Sequence, residues 1–319
     1  MIRPLFSLSA LAVVAVLLAL ALGSVNVSIA ELWQVVLGEG SGLNRTLILD
    51  LRLPRTLAAF ATGGLLAVAG ALMQVLLRNP LADPYILGLS GGAAVGALLA
   101  MLAGLGTLLV SGSAFAGAMM ATLLVFGIAH GTGSWTPSRL LLTGVVIASG
   151  WGAVITLMLA VTPSYKLPGM LYWLMGDVSY ARTPWPALVV LALSIVLIMP
   201  LARNLNVLAR GPLQAAALGV SVRPLEWVIY LLASLLTATA VTTAGSIGFV
   251  GLIVPHMLRL ILGNDQRIIL PASALAGGTL LVLADTLART VIAPEQLPVG
   301  VITALLGVPM FLYLLHRSR

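Results

Sequence analysis

Cysteine is absent from this chain of 319 residues, which excludes disulfides, thiolate metal sites and thiol chemistry. Charge is scarce as well. Asp, Glu, Lys and Arg together make up 8% of the residues, against about 25% in soluble domains. A globule so poor in charge could not clothe itself in polar surface, so the composition argues against a large soluble helical protein. Lysine occurs once, as Lys166 in Ser164-Tyr-Lys-Leu167. A phosphate-cradling P-loop needs a glycine-rich turn ending in Gly-Lys-Ser/Thr, and none is present. Any ATP used with this protein is therefore expected to be handled by another chain. His130, His256 and His316 fall into no His-Glu-x-x-His or comparable spacing, so neither a resident metal nor a cofactor is expected.

What the chain does contain is apolar length. Hydrophobic residues make up 60%, and runs near the ~20 residues needed to cross a bilayer recur throughout. Ten spans are predicted: Leu5–Leu22, Thr56–Leu77, Tyr85–Ala103, Thr107–Ala129, Leu140–Val161, Trp185–Ala202, Leu225–Val241, Ile247–Leu262, Leu270–Leu287 and Val299–Leu315. They must be helical, because backbone groups in lipid have to be satisfied within the segment unless a barrel closes. The first run is longer than the 7–15-residue core of a signal peptide and is read as a retained span.

Ten spans put both termini on one side. With that side cytoplasmic, the inner segments hold Arg3, Arg78, Arg139, Arg203, Arg210, Arg223, Arg259, Arg267, Arg317 and Arg319. The outer ones hold Arg45, Arg52, Arg55, Lys166, Arg182 and Arg289. Ten cations against six favour this orientation. The net charge of +7 thus reads as topology and contact with membrane lipid, not as a surface for nucleic acid. The outer connection 23–55 has room for a short surface helix. The inner segment 203–224 is the largest on its side. No stretch is long and polar enough for a soluble domain, so residues 1–319 are expected to form one membrane domain.

Three local features stand out. Asp285 lies inside a span, where a carboxylate costs ~2.5–3.5 kcal/mol unless partnered. Arg289, four residues on, is the expected helical partner. Gly88, Gly92 and Gly96 share one helix face, beside Ser90 and Gly91. Such a face serves close helix packing, or it serves as a wall without side chains for a bulky substrate. Between spans two and three, Pro80 and Pro84 forbid a continuous helix and push Asn79 out of helical geometry. This leaves a stiff polar turn, with Ser90 expected to cap the helix that follows.

Several stretches resemble the permease subunits of ABC importers for vitamin B12, ferric siderophores and haem. They are Leu51-Arg-Leu-Pro-Arg55, Asn79-Pro-Leu-Ala-Asp-Pro84 with Gly88-Leu-Ser-Gly-Gly92, Tyr172-Trp-Leu-Met-Gly-Asp177, the segment from Gly248 to Arg259, Glu295-Gln-Leu-Pro-Val-Gly300 and Leu306-Gly-Val-Pro309. The resemblance implies an all-α type II importer permease of about ten transmembrane helices in the bacterial cytoplasmic (inner) membrane. It implies a homodimer, two cytoplasmic ATPase subunits, a periplasmic substrate-binding protein, and a ferric siderophore, haem or cobalamin as cargo. The chain itself would be no enzyme.

Residue roles follow by match. Asn79, Leu81 and Ser138 fall at the cytoplasmic gate. Arg52, Arg55 and Arg289 match outer arginines that meet acidic residues of the binding protein. The segment 208–222 matches paired short helices that contact the ATPase, with Gln214, Ala216 and Gly219 as coupling residues. It lacks the glutamate often found there. Gly88, Ser90, Gly91 and Gly92 would line the pathway. Two other classes stand beside this reading. One is an ion-gradient-driven secondary transporter using Asp285 and His256. The other is an intramembrane enzyme, for which no convergent Ser/Asp/His set is visible.

Overall fold

The computed structural model describes residues 2–317 apart from 24, 26, 39–41, 131–135, 180 and 182. Arg182 and Arg319, counted above among the topology charges, lie outside the described residues. Helices form the fold: α1 (Ile2–Ala21), α2 (Ile29–Val36), α3 (Leu53–Leu76), α4 (Leu89–Leu102), α5 (Thr107–His130), α6 (Pro137–Val161), α7 (Leu167–Met175), α8 (Trp185–Ile198), α9 (Ala202–Leu208), α10 (Pro212–Ala217), α11 (Val222–Ala244), α12 (Val250–Leu262), α13 (Gln266–Thr290) and α14 (Val299–Arg317).

Seven described helical stretches are long and apolar enough to cross a membrane, and three shorter apolar helices, α4, α12 and most of α14, complete the expected ten. α4 has 14 residues and α12 has 13, about 20 Å each at 1.5 Å per residue. That falls short of a ~30 Å hydrocarbon core. Irregular backbone beside them is buried in protein, where it finds partners. Ile247 N–H donates to the Tyr85 hydroxyl (3.2 Å), Asp177 N–H to the Ala244 carbonyl (2.8 Å) and Gly300 N–H to the Gly176 carbonyl (3.2 Å).

The central element is α3. It is buried along nearly all of its length and packs on α11, α12 and α13. Glycine makes this possible. A Cβ on Gly63 would stand 2.1 Å from the Gly277 carbonyl of α13, and one on Gly277 would stand 2.4 Å from the Gly63 carbonyl. The backbones therefore touch at the crossing, as small residues permit. α1 belongs to the same core through Ala15 and Ala19 and lies against α13, as a retained span should. In the outer connection, α2 is the expected short surface helix. Ser28 and Glu31 close a reciprocal capping box at its start. The Ser28 hydroxyl and N–H hold the Glu31 carboxyl below its ordinary range.

Candidate functional site

Arg52, Arg55 and Arg289, which the sequence assigns to the outer side, meet at one end of the bundle, termed the outer end. At the outer end, a cavity of about 570 Å³ is lined by Arg52, Arg55, Arg289, Asp50, Ser179 and Gln296, among others. Asp285 is buried against Arg55 and Arg289 of this lining. The carboxylate takes Arg289 at the helical i+4 spacing (Nε–Oδ2, 3.1 Å), though this contact is out of line for a hydrogen bond. Its better partner is Arg55 of α3. There Nη2 donates to Oδ1 at 2.9 Å, and Nε stands 3.1 Å from both oxygens. Arg55 Nη1 also donates to Gln296 Oε1 (2.6 Å). Asp285 thus bridges α3 and α13, a contact 230 residues apart in sequence that local spacing could not reveal.

The three outer arginines differ sharply. Arg52 is 4% exposed and Arg289 is 5% exposed. Arg52 donates to the carbonyls of Leu20 (2.7 Å), Ala21 (3.0 Å) and Val25. Leu20 and Ala21 lie in the last turn of α1 and Val25 in the connection that follows it, where helical partners run out. Arg289 donates to the Ala19 carbonyl (3.2 Å). Both guanidinium groups are thus engaged by backbone carbonyls at the end of α1. The two arginines give Asp285 a bridging role between helices, in place of the ion coupling that a secondary transporter would ask of it.

The inner turn is built as the prolines require. Asn79 Oδ1 accepts from Leu81 N–H (2.9 Å), an Asx turn. Asp83 caps the following 3-10 turn Pro84–Leu87 by accepting from Tyr85 N–H (2.7 Å). Ser90 does not cap α4, contrary to expectation. Gly88 holds that position with φ of 69° and no side-chain bond. Burial raises the Asp83 carboxyl from its ordinary 3.8 to about 6, against the opposing Tyr85 N–H. A raised acid pKa favours the protonated fold, so this stability is full below pH 3.8 and is lost as pH rises through about 6. Asp83→Asn keeps the cap and removes the ionisation. It is expected to stabilise the protein at pH 7.5 by roughly 1–3 kcal/mol, with the difference vanishing near pH 4. Melting curves at both pH values check this.

The glycine face of α4 is used for packing. Cβ atoms on Gly92 and Gly96 would stand 2.5 Å from the Gly117 carbonyl and 2.1 Å from the Ser113 carbonyl of α5. One on Gly91 would stand 2.6 Å from Trp151 of α6, and Gly88 lies against Ile147 and Ala148. Of the two uses left open for this face, close packing is the one these distances fit, and Ser90 is half-buried beside it.

Against this geometry, the FecCD transport family model matches residues 11–317. The chain belongs to the FecCD transport family. It is 39% identical to the hemin transport system permease protein HmuU of Yersinia pestis, over 100% of this chain and 97% of that protein. It is 44% identical to the cobalamin import system permease protein BtuC of Halobacterium salinarum, over 83% of this chain and 72% of that one. A solved metal-chelate type ABC transporter in an inward-facing conformation aligns with a TM-score of 0.87 at 30% identity, covering 99% of this chain and 100% of that chain. This FecCD member is a multi-pass membrane permease of an ABC system with partner subunits, in which ATPase activity belongs to separate chains.

The segment that the family resemblance ties to the ATPase is exposed in the FecCD chain. Gln214, Ala216 and Gly219 all face outward, while Ala215 is buried and anchors α10. Gly219, with φ of 80°, closes α10 with the paired bonds of a Schellman ending. One difference from expectation is the register of the helix pair. Its first member, α9, spans 202–208 and so precedes the predicted 208–222 segment. Ser138 is exposed in the first turn of α6, which Thr136 caps by accepting from Arg139 N–H (3.3 Å). Sequence reading missed Gln74. This buried amide of α3 accepts from Arg259 and donates to the Leu252 carbonyl (3.1 Å). Its signal was a lone amide inside an apolar run.

Proposed function

We propose that this chain is the membrane-spanning subunit of an ATP-driven importer that carries a bulky iron chelate, a ferric siderophore or haem, or cobalamin across the cytoplasmic membrane. It works as a homodimer with two cytoplasmic ATPase subunits and a periplasmic binding protein, with both termini inside. The observation that carries this reading is the near full-length alignment with an inward-facing metal-chelate type ABC transporter. The haem and cobalamin permeases among its relatives support the cargo class. The exposed face of Gln214, Ala216 and Gly219 supports an ATPase contact. Arg55 is the docking charge for the binding protein, since it is the least buried of the three outer arginines.

The test is uptake into proteoliposomes holding the permease with its ATPase, with the binding protein and hemin, a ferric siderophore or cobalamin outside. Uptake of one cargo that requires ATP and survives collapse of ion gradients supports the reading. Uptake that follows the gradient and ignores ATP overturns it. In the same vesicles, Asn79→Ala with Leu81→Ala is expected to raise ATP-independent leak of that cargo severalfold, because the Asx turn that holds the inner mouth is lost. Unchanged leak in a folded variant would reduce the turn to a connection.

A further inference from the structure

The inner end of the bundle has a cavity of its own, of about 540 Å³, where the turn after α3, the end of α9 and the α12–α13 connection meet. Its wall holds Arg78, Arg210 and Arg259 against one carboxylate, Asp265. That carboxylate is already engaged, since Oδ1 accepts from Asn206 Nδ2 (2.8 Å) and from Arg267 N–H (3.0 Å). Arg78 and Arg210 are exposed, and their side chains make no hydrogen bond or ion pair with any described residue. The electrostatic neighbour of Arg78 is Glu226. Arg259 gives hydrogen bonds to Gln74 Oε1 and the Ala71 carbonyl (3.2 Å), leaving the rest of its five N–H donors open.

Two details show that this wall is built and incomplete. Gln266 lines the cavity, is only 2% exposed, and its side-chain oxygen has no hydrogen-bond partner. A buried polar atom left so costs about 1–3 kcal/mol. Arg78 is held at φ of 49°, a left-handed backbone that non-glycine residues seldom adopt. Three guanidinium groups around a polar hollow suit a tetrahedral oxyanion, which Arg binds by bidentate, charge-assisted bonds.

We propose that this inner cavity binds a phosphate group, the headgroup of an anionic phospholipid or a soluble phosphate, through Arg78, Arg210 and Arg259. The site goes beyond the transport reading and does not depend on the cargo. Turned end for end, the Gln266 amide presents N–H donors to the same anion.

The test uses the full-length permease, delipidated in a non-ionic detergent. One arm counts phosphatidylglycerol and phosphatidylcholine retained per chain by native mass spectrometry. The other measures the melting shift with inorganic phosphate against chloride at equal ionic strength. The variants are Arg78→Gln with Arg210→Gln, and Arg203→Gln as an exposed arginine off the cavity wall. Both must melt like wild type when no anion is added. A tenfold or greater loss of phosphatidylglycerol affinity in the double variant alone assigns a lipid headgroup. Loss of the phosphate shift in that variant alone assigns a soluble phosphate. Equal behaviour of wild type, control and double variant in both arms overturns the proposal. So does a double variant that binds both anions normally and fails only to assemble with the ATPase, which would make the arginines a protein contact. If the double variant does not fold, Arg210→Gln alone is measured in both arms against the same outcomes.

Discussion

Gly70→Ala is expected to deplete folded protein from the membrane. The new Cβ would lie 1.8 Å from the Gly251 carbonyl oxygen and 2.5 Å from its carbon. Both obstacles are backbone of α12, so no rotamer change relieves them. The two helices must separate, and Gly251 is itself wedged against Pro84 and the Leu66 carbonyl. Overpacking costs about 1–3 kcal/mol where side chains can yield, and more where they cannot. The cost here is expected at or above the top of that range. Gly112→Ala is the control. It is also an apolar-helix glycine, but nothing lies within 4 Å of its added Cβ, and alanine gains about 1 kcal/mol of helix propensity. Yield of monodisperse protein and melting temperature in one detergent decide the matter. If the two variants behave alike, α3 and α12 do not cross so closely.

Asp285→Ala is expected to be the most damaging single charge removal. It leaves Arg55 and Arg289, beside Arg52, without the carboxylate that pairs with both. Breaking a buried pair by deleting one partner costs about 3–5 kcal/mol, chiefly for the stranded charge. Removing charge on both sides is less harmful than the sum of the single changes. Asp285→Asn with Arg289→Gln is therefore expected to recover 1 kcal/mol or more relative to additivity, roughly the scale of coupled neighbours. Additive losses would show that the two do not interact. The same single variant separates the structural role from a proton relay. A bridging carboxylate affects how much protein folds, while ATP dependence of uptake by the folded fraction stays unchanged.

The fate of Arg52 illustrates what could and could not be read from the chain. Its outer position followed from counting spans and charges. Its partners, the carbonyls of Leu20, Ala21 and Val25, are backbone groups some 30 residues earlier, and backbone acceptors leave no mark in composition. The carboxylate that Arg55 meets on α13 was hidden in the same way, 230 residues along the chain. The glycines of α4 are a parallel case. Their spacing announced a bare face, but the two possible occupants, a neighbouring helix or a substrate, leave one and the same pattern. Only the close approach of the Gly117 and Ser113 carbonyls separates them.

By itself, the sequence located the ten apolar helices to within a few residues, the short surface helix α2 and the two-proline turn. Each of these rests on local physics. Lipid demands some twenty apolar residues with internally satisfied backbone, proline forbids a helix where it falls, and charge counts flank each span. Only the tertiary structure decided which glycines carry crossings, which arginines are consumed internally, and that two sets of cations gather into cavities at opposite ends. Those outcomes depend on pairs of residues far apart in the chain. A residue's partner across a bundle is set by how whole helices pack, which no local spacing encodes.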